Sequence, residues 1–308
     1  MQDQIQKVSV YVGIIFLVVA LFLLVAELRT GKQDRNLRMR YLSALVMVPF
    51  ALSVVYSGGR LFETLVFLLS VLCTREFMIL VGVWEHQAYR SVAVLALFII
   101  VVVSVLDPLQ SSSGFHPFYA VLVPIIMIVL AVPIFLRSYQ GMVLREFTTI
   151  FALLYFGWFS AHLILLRSLD GGLGLTTFLL VVVAVNDVAA YGAGRLFGVH
   201  ALIAEISPKK TWEGFFGGML GSVAASLTFG FLAPQLSLSA LLLSGFLIAV
   251  TAPFGDLVVS VIKRDMNKKD SGDIIPGHGG LLDRTDSLIF SAPNFYYFVV
   301  FFAGRCFN

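Results

Sequence analysis

About ten apolar stretches, each near the length of a bilayer crossing, fill most of the chain and constrain its fold before any single residue is considered. They lie near residues 10–26, 41–56, 61–81, 91–106, 118–136, 147–166, 175–191, 215–233, 238–259 and 288–302. In hydrocarbon every backbone N–H and C=O must be paired inside the protein, and these runs lack the alternation of a membrane barrel strand, so they are read as helices. The expected fold is an all-α polytopic membrane protein, a bundle of about nine to ten transmembrane helices with a polar site facing the cytoplasm. Composition agrees: of 308 residues, 59% are apolar and 13% charged, against roughly 45–50% and 25% in soluble domains. No room is left for a large soluble domain. Several runs fall short of the roughly 20 residues that cross a 30 Å core, which predicts tilted, broken or bundle-buried helices among them. The first stretch lacks a basic leader and a small-residue cleavage site, and is read as a retained helix.

The cations set the orientation. With the N-terminus outside, the inner connections hold Arg29, Lys32, Arg35, Arg38 and Arg40, then Arg90, then Arg137 and Arg145, then Arg195, Lys209 and Lys210, and last Lys263, Arg264, Lys268, Lys269 and Arg284. Only Lys7, Arg60, Arg167 and Arg305 fall on the other side. That asymmetry follows the positive-inside rule at each connection and accounts for the net charge of +3 without a nucleic-acid partner. Cys73 and Cys306 are too few for a disulfide framework or a zinc site and are read as structural.

Polar residues are costly inside a membrane, so where they collect is informative. They collect in three blocks of the C-terminal half: 186–195, 207–214 and 255–286. The chain is accordingly divided into N-terminal transmembrane helices, 1–146, and a C-terminal catalytic membrane region, 147–308. In the third block Asp256, Ser260, Lys263 and Arg264 recur at helical spacing, which puts a carboxylate, a hydroxyl and two cations on one face. Asp283 and Asp286, three apart with Arg284 beside them, share a face of the last helix. Asp256 and Asp283 are expected to meet at one cation. Hard carboxylate oxygens without His or Cys partners favour Mg²⁺, whose remaining positions go to water and substrate phosphates.

Between those carboxylates, Pro276-Gly277-His278-Gly279-Gly280 lets backbone N–H groups approach an anion, and Lys268, Lys269, Lys209 and Lys210 surround it in the expected topology. Lysines, loop amides and a metal are the ordinary parts for holding a polyphosphate during phosphoryl or nucleotidyl transfer. Ser207-Pro208 is expected to be a helix N-cap followed by proline at the first helical position, aiming free N–H groups at the same pocket. Asp187, inside a span, is read as functional. The adjacent Arg75 and Glu76 are read as a structural pair or as snorkelling side chains. His86, His116, His162 and His200 lack ligand spacing and are assigned no role, and Gly214, Gly217, Gly218 and Gly221 are expected to allow close helix approach. There is no Walker A sequence and no nucleophile elbow.

The run SVIKRDMNKKDSGDIIPGHGGLLDRTD, from Ser260 to Asp286, resembles the signature of phosphatidate cytidylyltransferases, also called CDP-diacylglycerol synthases. Asp187 with Ala190-Tyr191, Gly194-Arg195-x-Phe197-Gly198, and Ser207 to Gly214 are similar to that family's other recurring blocks. The resemblance is specific over about residues 147 to 303. It implies transfer of CMP from CTP to phosphatidate, with pyrophosphate released and CDP-diacylglycerol formed; the short polar termini point to a bacterial inner membrane, and the cations place the site on its cytoplasmic side. On this reading Asp256 and Asp283 hold Mg²⁺, Lys263 and Arg264 are catalytic, and His278 orients or hydrogen-bonds substrate. Asp187, Ser207, Lys209, Lys210, Thr211, Ser260, Lys269, Asp270, Gly279, Gly280, Arg284 and Asp286 contact CTP or the lipid phosphate. A second cation beside Mg²⁺ and a homodimer stay open, as do two other functions: a CTP-dependent enzyme acting on another lipid phosphate or a polyprenol, and a transporter of an anionic phosphorylated solute.

Overall fold

The computed structural model describes residues 49–107, 116–272 and 280–306; the first expected span, half of the second, His278 and Gly279 lie outside them. A helix at residues 49–57, α1, runs into α2 (Gly59–Val81). There follow α3 (Gln87–Leu106) and α4 (Pro117–Leu136), the latter a short first turn joined at Val121 to its main body. Next come α5 (Met142–Ser168), α6 (Gly172–Phe197), α7 (Trp212–Thr228), α8 (Leu238–Asp265) and α9 (Leu282–Cys306). Six of these, α2 to α6 and α8, are long and apolar enough to cross a membrane. The protein is a helical, multi-pass integral membrane protein. Large apolar side chains such as Phe135 (83% exposed), Ile134 (75%) and Leu220 (74%) point outward, as a lipid-solvated bundle requires.

The all-α expectation needs one addition. Ala201–Ile203 (β1) and Ser207–Thr211 (β2) form an antiparallel hairpin between α6 and α7, with Ala201 opposite Thr211 and Ile203 opposite Ser207. Ser207-Pro208 is therefore strand, not the start of a helix. The N-cap is Thr211, whose hydroxyl accepts the Gly214 N–H at 3.1 Å. Pro208 fits a two-stranded ribbon because every strand there is an edge, where a missing N–H costs little.

Alpha-6 and α7 lie close along their length because glycines of one meet small residues of the other. A Cβ on Gly217 would fall 2.2 Å from the Ala193 Cβ, and one on Gly221 2.5 Å from that of Ala189. Close backbone approach of this kind is how membrane helices gain dispersion energy without a hydrophobic driving force. Gly217→Ala should lower the thermal unfolding midpoint in detergent, at a cost of about 1–3 kcal/mol. A midpoint equal to the parent's would mean that the seam yields freely.

Among the described residues two apolar cores hold the bundle, and both draw on residues from either side of position 147, which itself lies within α5. The smaller core, including Cys73, Phe77, Met78, Tyr89, Phe156, Val259, Leu282 and Ile289, joins α2, α3, α5, α8 and α9. Cys73 is buried there, its Sγ 3.5 Å from Thr285 Oγ1, consistent with a structural role. Within α5, residues Leu153–Trp158 form a π-helical turn. Such bulges re-aim side chains, and here Tyr155 reaches across to donate to the Gly255 carbonyl at 3.2 Å.

Candidate active site

The polar residues gather at one end of the bundle. Alpha-2 carries Arg60 in its first turn and Glu76 near its other end, and Arg167 stays near the Arg60 end, donating to the Val55 carbonyl at 3.3 Å. A cavity of about 470 Å³ at that end, lined by Glu63, Asp107, Arg167 and Asp170 among others, holds none of the signature residues. The described signature residues lie at the Glu76 end, where α8, α9, the hairpin and the end of α2 converge.

Alpha-8 supplies the first half of the site. Of the four residues expected on one face, Ser260 and Lys263 are buried, Asp256 is half-buried and Arg264 is exposed. Pro253 lies one turn before Asp256, and its carbonyl accepts Lys210 Nζ at 3.4 Å while the same ammonium pairs with Asp256. Strand geometry explains why Lys210 rather than Lys209 does this: successive side chains on β2 point to opposite faces, leaving Lys210 half-buried and Lys209 exposed. Arg264 turns away. Its Nε donates to the Ile206 carbonyl at 3.1 Å and its Nη1 to the Lys268 carbonyl at 3.2 Å, so it ties the hairpin turn and the loop after α8 to the helix.

Alpha-9 supplies the second half. Asp283, in its first turn, pairs through Oδ1 with Lys263 Nζ at 2.5 Å. Its Oδ2 accepts the Ser271 N–H and hydroxyl, each at 3.0 Å, and the Gly280 N–H at 3.4 Å. Both oxygens of the carboxylate expected to share a metal with Asp256 thus already have partners. Asp286, one turn on, differs. It is 3% exposed, Oδ1 accepts only the Ser287 N–H at 2.8 Å, and Oδ2 has no hydrogen-bond partner among the described residues. It lies within electrostatic reach of Asp256, Asp187 and Asp283. Alpha-8 and α9 are in backbone contact here, since a Cβ on Gly255 would sit 2.5 Å from the Asp286 carbonyl oxygen.

Asp187 comes from α6 and is accessible; its Oδ1 accepts from Asn186 Nδ2 at 3.3 Å, and Asn186 Oδ1 accepts the Ser222 hydroxyl at 3.0 Å. Asn186, itself buried, so fixes the aspartate against α7. Thr211 is taken up by its cap, while Lys269, Asp270 and Arg284 are exposed around the rim. Of the histidines, His162 bonds Trp158 and Tyr297 and His200 pairs with Glu213 at 2.6 Å, both away from these carboxylates. Among the described residues no three His, Cys, Asp or Glu side chains form a ready cation cage.

Three contributors were missed from the sequence: Asn186, Tyr155 and Glu76. Glu76 does not pair with its neighbour, because Arg75 is exposed and Glu76 is buried. Its carboxylate accepts the Leu281 N–H at 2.9 Å, the Leu282 N–H at 2.8 Å and the Ser271 hydroxyl at 3.3 Å. Only a buried acid in an otherwise apolar span signalled it.

Two lysines paired with carboxylates thus lie at one end of a helical membrane bundle. The cytidylyltransferase family model matches residues 38–302, and the chain belongs to that family. It is 30% identical over 293 residues to a phosphatidate cytidylyltransferase of Synechocystis, a match covering 85% of this chain and 96% of the relative. It is also 42% identical over 167 residues to the uncharacterized protein YnbB of Escherichia coli, covering 54% of this chain and 55% of that one. A phosphatidate cytidylyltransferase of Mycobacterium leprae is 42% identical over 145 residues, 47% of this chain and 46% of the relative. The chain is a nucleotidyltransferase by family.

Proposed function

We propose that this chain transfers CMP from CTP to phosphatidate, forming CDP-diacylglycerol and pyrophosphate, with the site at the cytoplasmic face of a bacterial inner membrane. The observation that carries the reading is the meeting of two ion pairs from the polar blocks, Lys210 with Asp256 and Lys263 with Asp283, at one end of the bundle. The family match and the names of the relatives set the substrates. The excess of Lys and Arg in the connections at this end supports the cytoplasmic side. A reporter fused after Lys210 or Lys269 should read cytoplasmic, and one within 108–116 external; opposite sides for Lys210 and Lys269 would refute a shared site.

The reaction joins a phosphatidate oxygen to the α-phosphorus of CTP as the bond to pyrophosphate breaks on the opposite side. The lipid phosphate is largely ionised near neutral pH, so positioning and charge compensation matter more than a general base. Lys210 and Lys263 exchange carboxylate for phosphate partners as the polyphosphate enters, and Lys209 at the rim draws it in. Asp256 and Asp286 are the groups that would hold Mg²⁺, and Asp283 would join them only on releasing Lys263. The fit rests on Asp286 Oδ2, a buried hard oxygen without a partner among the described residues. When bound, the ion would supply charge screening on the phosphate oxygens.

Protein purified in detergent, given CTP labelled at the α-phosphate and phosphatidate, should place label in lipid and release an equal amount of pyrophosphate. EDTA should stop both, and excess Mg²⁺ should restore them. No label in phosphatidate, with label in another lipid phosphate or a polyprenol phosphate, would reassign the acceptor. No label in any lipid would overturn the reading.

A further inference from the structure

We infer that Glu76, on α2, is a positioning residue that sets the aim of Asp283 and Lys263 from outside the C-terminal signature. The inference rests on the proposed transfer reaction for its catalytic consequence, though not for its structural part.

Glu76 is 3% exposed in an apolar environment formed by Cys73, Phe77 and Met78 of its own helix and Leu282 of α9. A carboxylate there is expensive unless its oxygens are satisfied. Arg75 does not neutralise it, being exposed. What satisfies it is backbone: the N–H groups of Leu281 and Leu282, at the start of α9, at 2.9 and 2.8 Å. The first N–H groups of a helix have no partner within the helix, and a carboxylate is their strongest cap.

The cap is shared with the site. The Ser271 hydroxyl lies 3.3 Å from Glu76 Oε2 and 3.0 Å from Asp283 Oδ2, so one side chain touches both carboxylates. Gly280 is pressed against the same group, since a Cβ there would lie 2.4 Å from Glu76 Oε2 and 2.1 Å from Ser271 Oγ. Asp283 in turn holds Lys263. The order of contacts is Glu76, Ser271, Asp283, Lys263, running from a rigid apolar core to the ammonium proposed to meet phosphate. An apolar residue could fill the space in α2 with less desolvation cost. A carboxylate is useful there because it fixes where the start of α9 lies.

The test uses the full chain with Glu76→Gln, Glu76→Asp and Ser271→Ala. Gln presents an amide donor to at least one of three donors, so hydrogen exchange of a peptide covering 280–285 should speed up in Glu76→Gln. Unchanged exchange overturns the structural part, whatever the chain catalyses. In the transfer assay Glu76→Gln should lower kcat about 10- to 100-fold with the KM for CTP changed less than about threefold. Glu76→Asp, which keeps the charge, should recover part of that loss. Ser271→Ala, which removes only the shared hydroxyl, should lower kcat several-fold and keeps the inference testable if the Glu76 variants fold poorly. An active parent with parental kcat in both Glu76→Gln and Ser271→Ala refutes the positioning role alone. A parent that transfers no CMP refutes the proposed reaction and leaves the exchange result to judge Glu76.

Discussion

Asp256→Asn should lower kcat by about 10²- to 10³-fold, the scale on which removal of one well-placed charge-stabilising group acts. Asn keeps the shape but removes the charge that opposes Lys210 and that would attract a divalent cation. Activity that remains should need more Mg²⁺. Lys210→Met alone should also be slow, because it removes an ammonium from the phosphate path and leaves Asp256 without its partner. Lys210 and Asp256 are in direct contact, so their effects should not multiply: the double variant should be little worse than Asp256→Asn. Steady-state kinetics over a Mg²⁺ titration would read this. Independent, fully multiplicative losses at an unchanged Mg²⁺ requirement would show that the pair does not act as a unit.

Asp283→Asn is expected to damage stability as well as rate. Lys263 is buried, and its side chain and that of Asp283 are 11% and 12% exposed. Breaking such a pair by removing one charge leaves the other desolvated, at a cost of about 3–5 kcal/mol. The Asn side chain also offers an NH₂ where Asp283 Oδ2 or Oδ1 now accepts, against the Ser271 and Gly280 N–H groups or the Lys263 ammonium. The unfolding midpoint should fall clearly, and transfer should drop below about one hundredth of the parent's. Adding Lys263→Met should restore much of the midpoint, since no unpaired charge remains, and none of the activity. A single Asp283→Asn variant within about 0.5 kcal/mol of the parent would place it among ordinary surface changes and refute the buried-pair account.

Asp286→Asn separates the metal role from the pair. Asp286 has one unpartnered buried oxygen where Asp283 has none, so Asn at 286 should unfold later than Asn at 283 yet raise the Mg²⁺ requirement more. Equal Mg²⁺ requirements in the two variants would argue against a cation on Asp286.

Within one helix a single period settles which residues share a face. Asp256, Ser260 and Lys263 do face the bundle from α8, and Asp283 and Asp286 do follow one another along α9, because a helix repeats every 3.6 residues wherever it is placed. Arg264 shows the limit: one residue beyond Lys263 is a 100° turn, enough to carry it from the site to the hairpin. Lys209 and Lys210 are alike in sequence, yet a strand sends neighbours to opposite faces. Ser207-Pro208 satisfied a helix-start rule, but pairing with residues 201–203 makes the same residues a strand.

The sequence by itself determined that the chain is a helical membrane protein, that its polar residues collect in blocks of the C-terminal half, and which family it resembles. Each follows from local properties: backbone pairing in hydrocarbon, the cost of burying polar groups, and typed residues at fixed spacing. Tertiary structure alone decided which charge faces which. Glu76 reaches Ser271 and Leu282 across 195 and 206 residues, and Tyr155 reaches Gly255 across 100. No window of sequence contains both ends of those contacts. A hydrogen bond requires its atoms within about 3 Å, so its partners are chosen only when separate helices have packed, here along the glycine seams of α6 with α7 and α8 with α9.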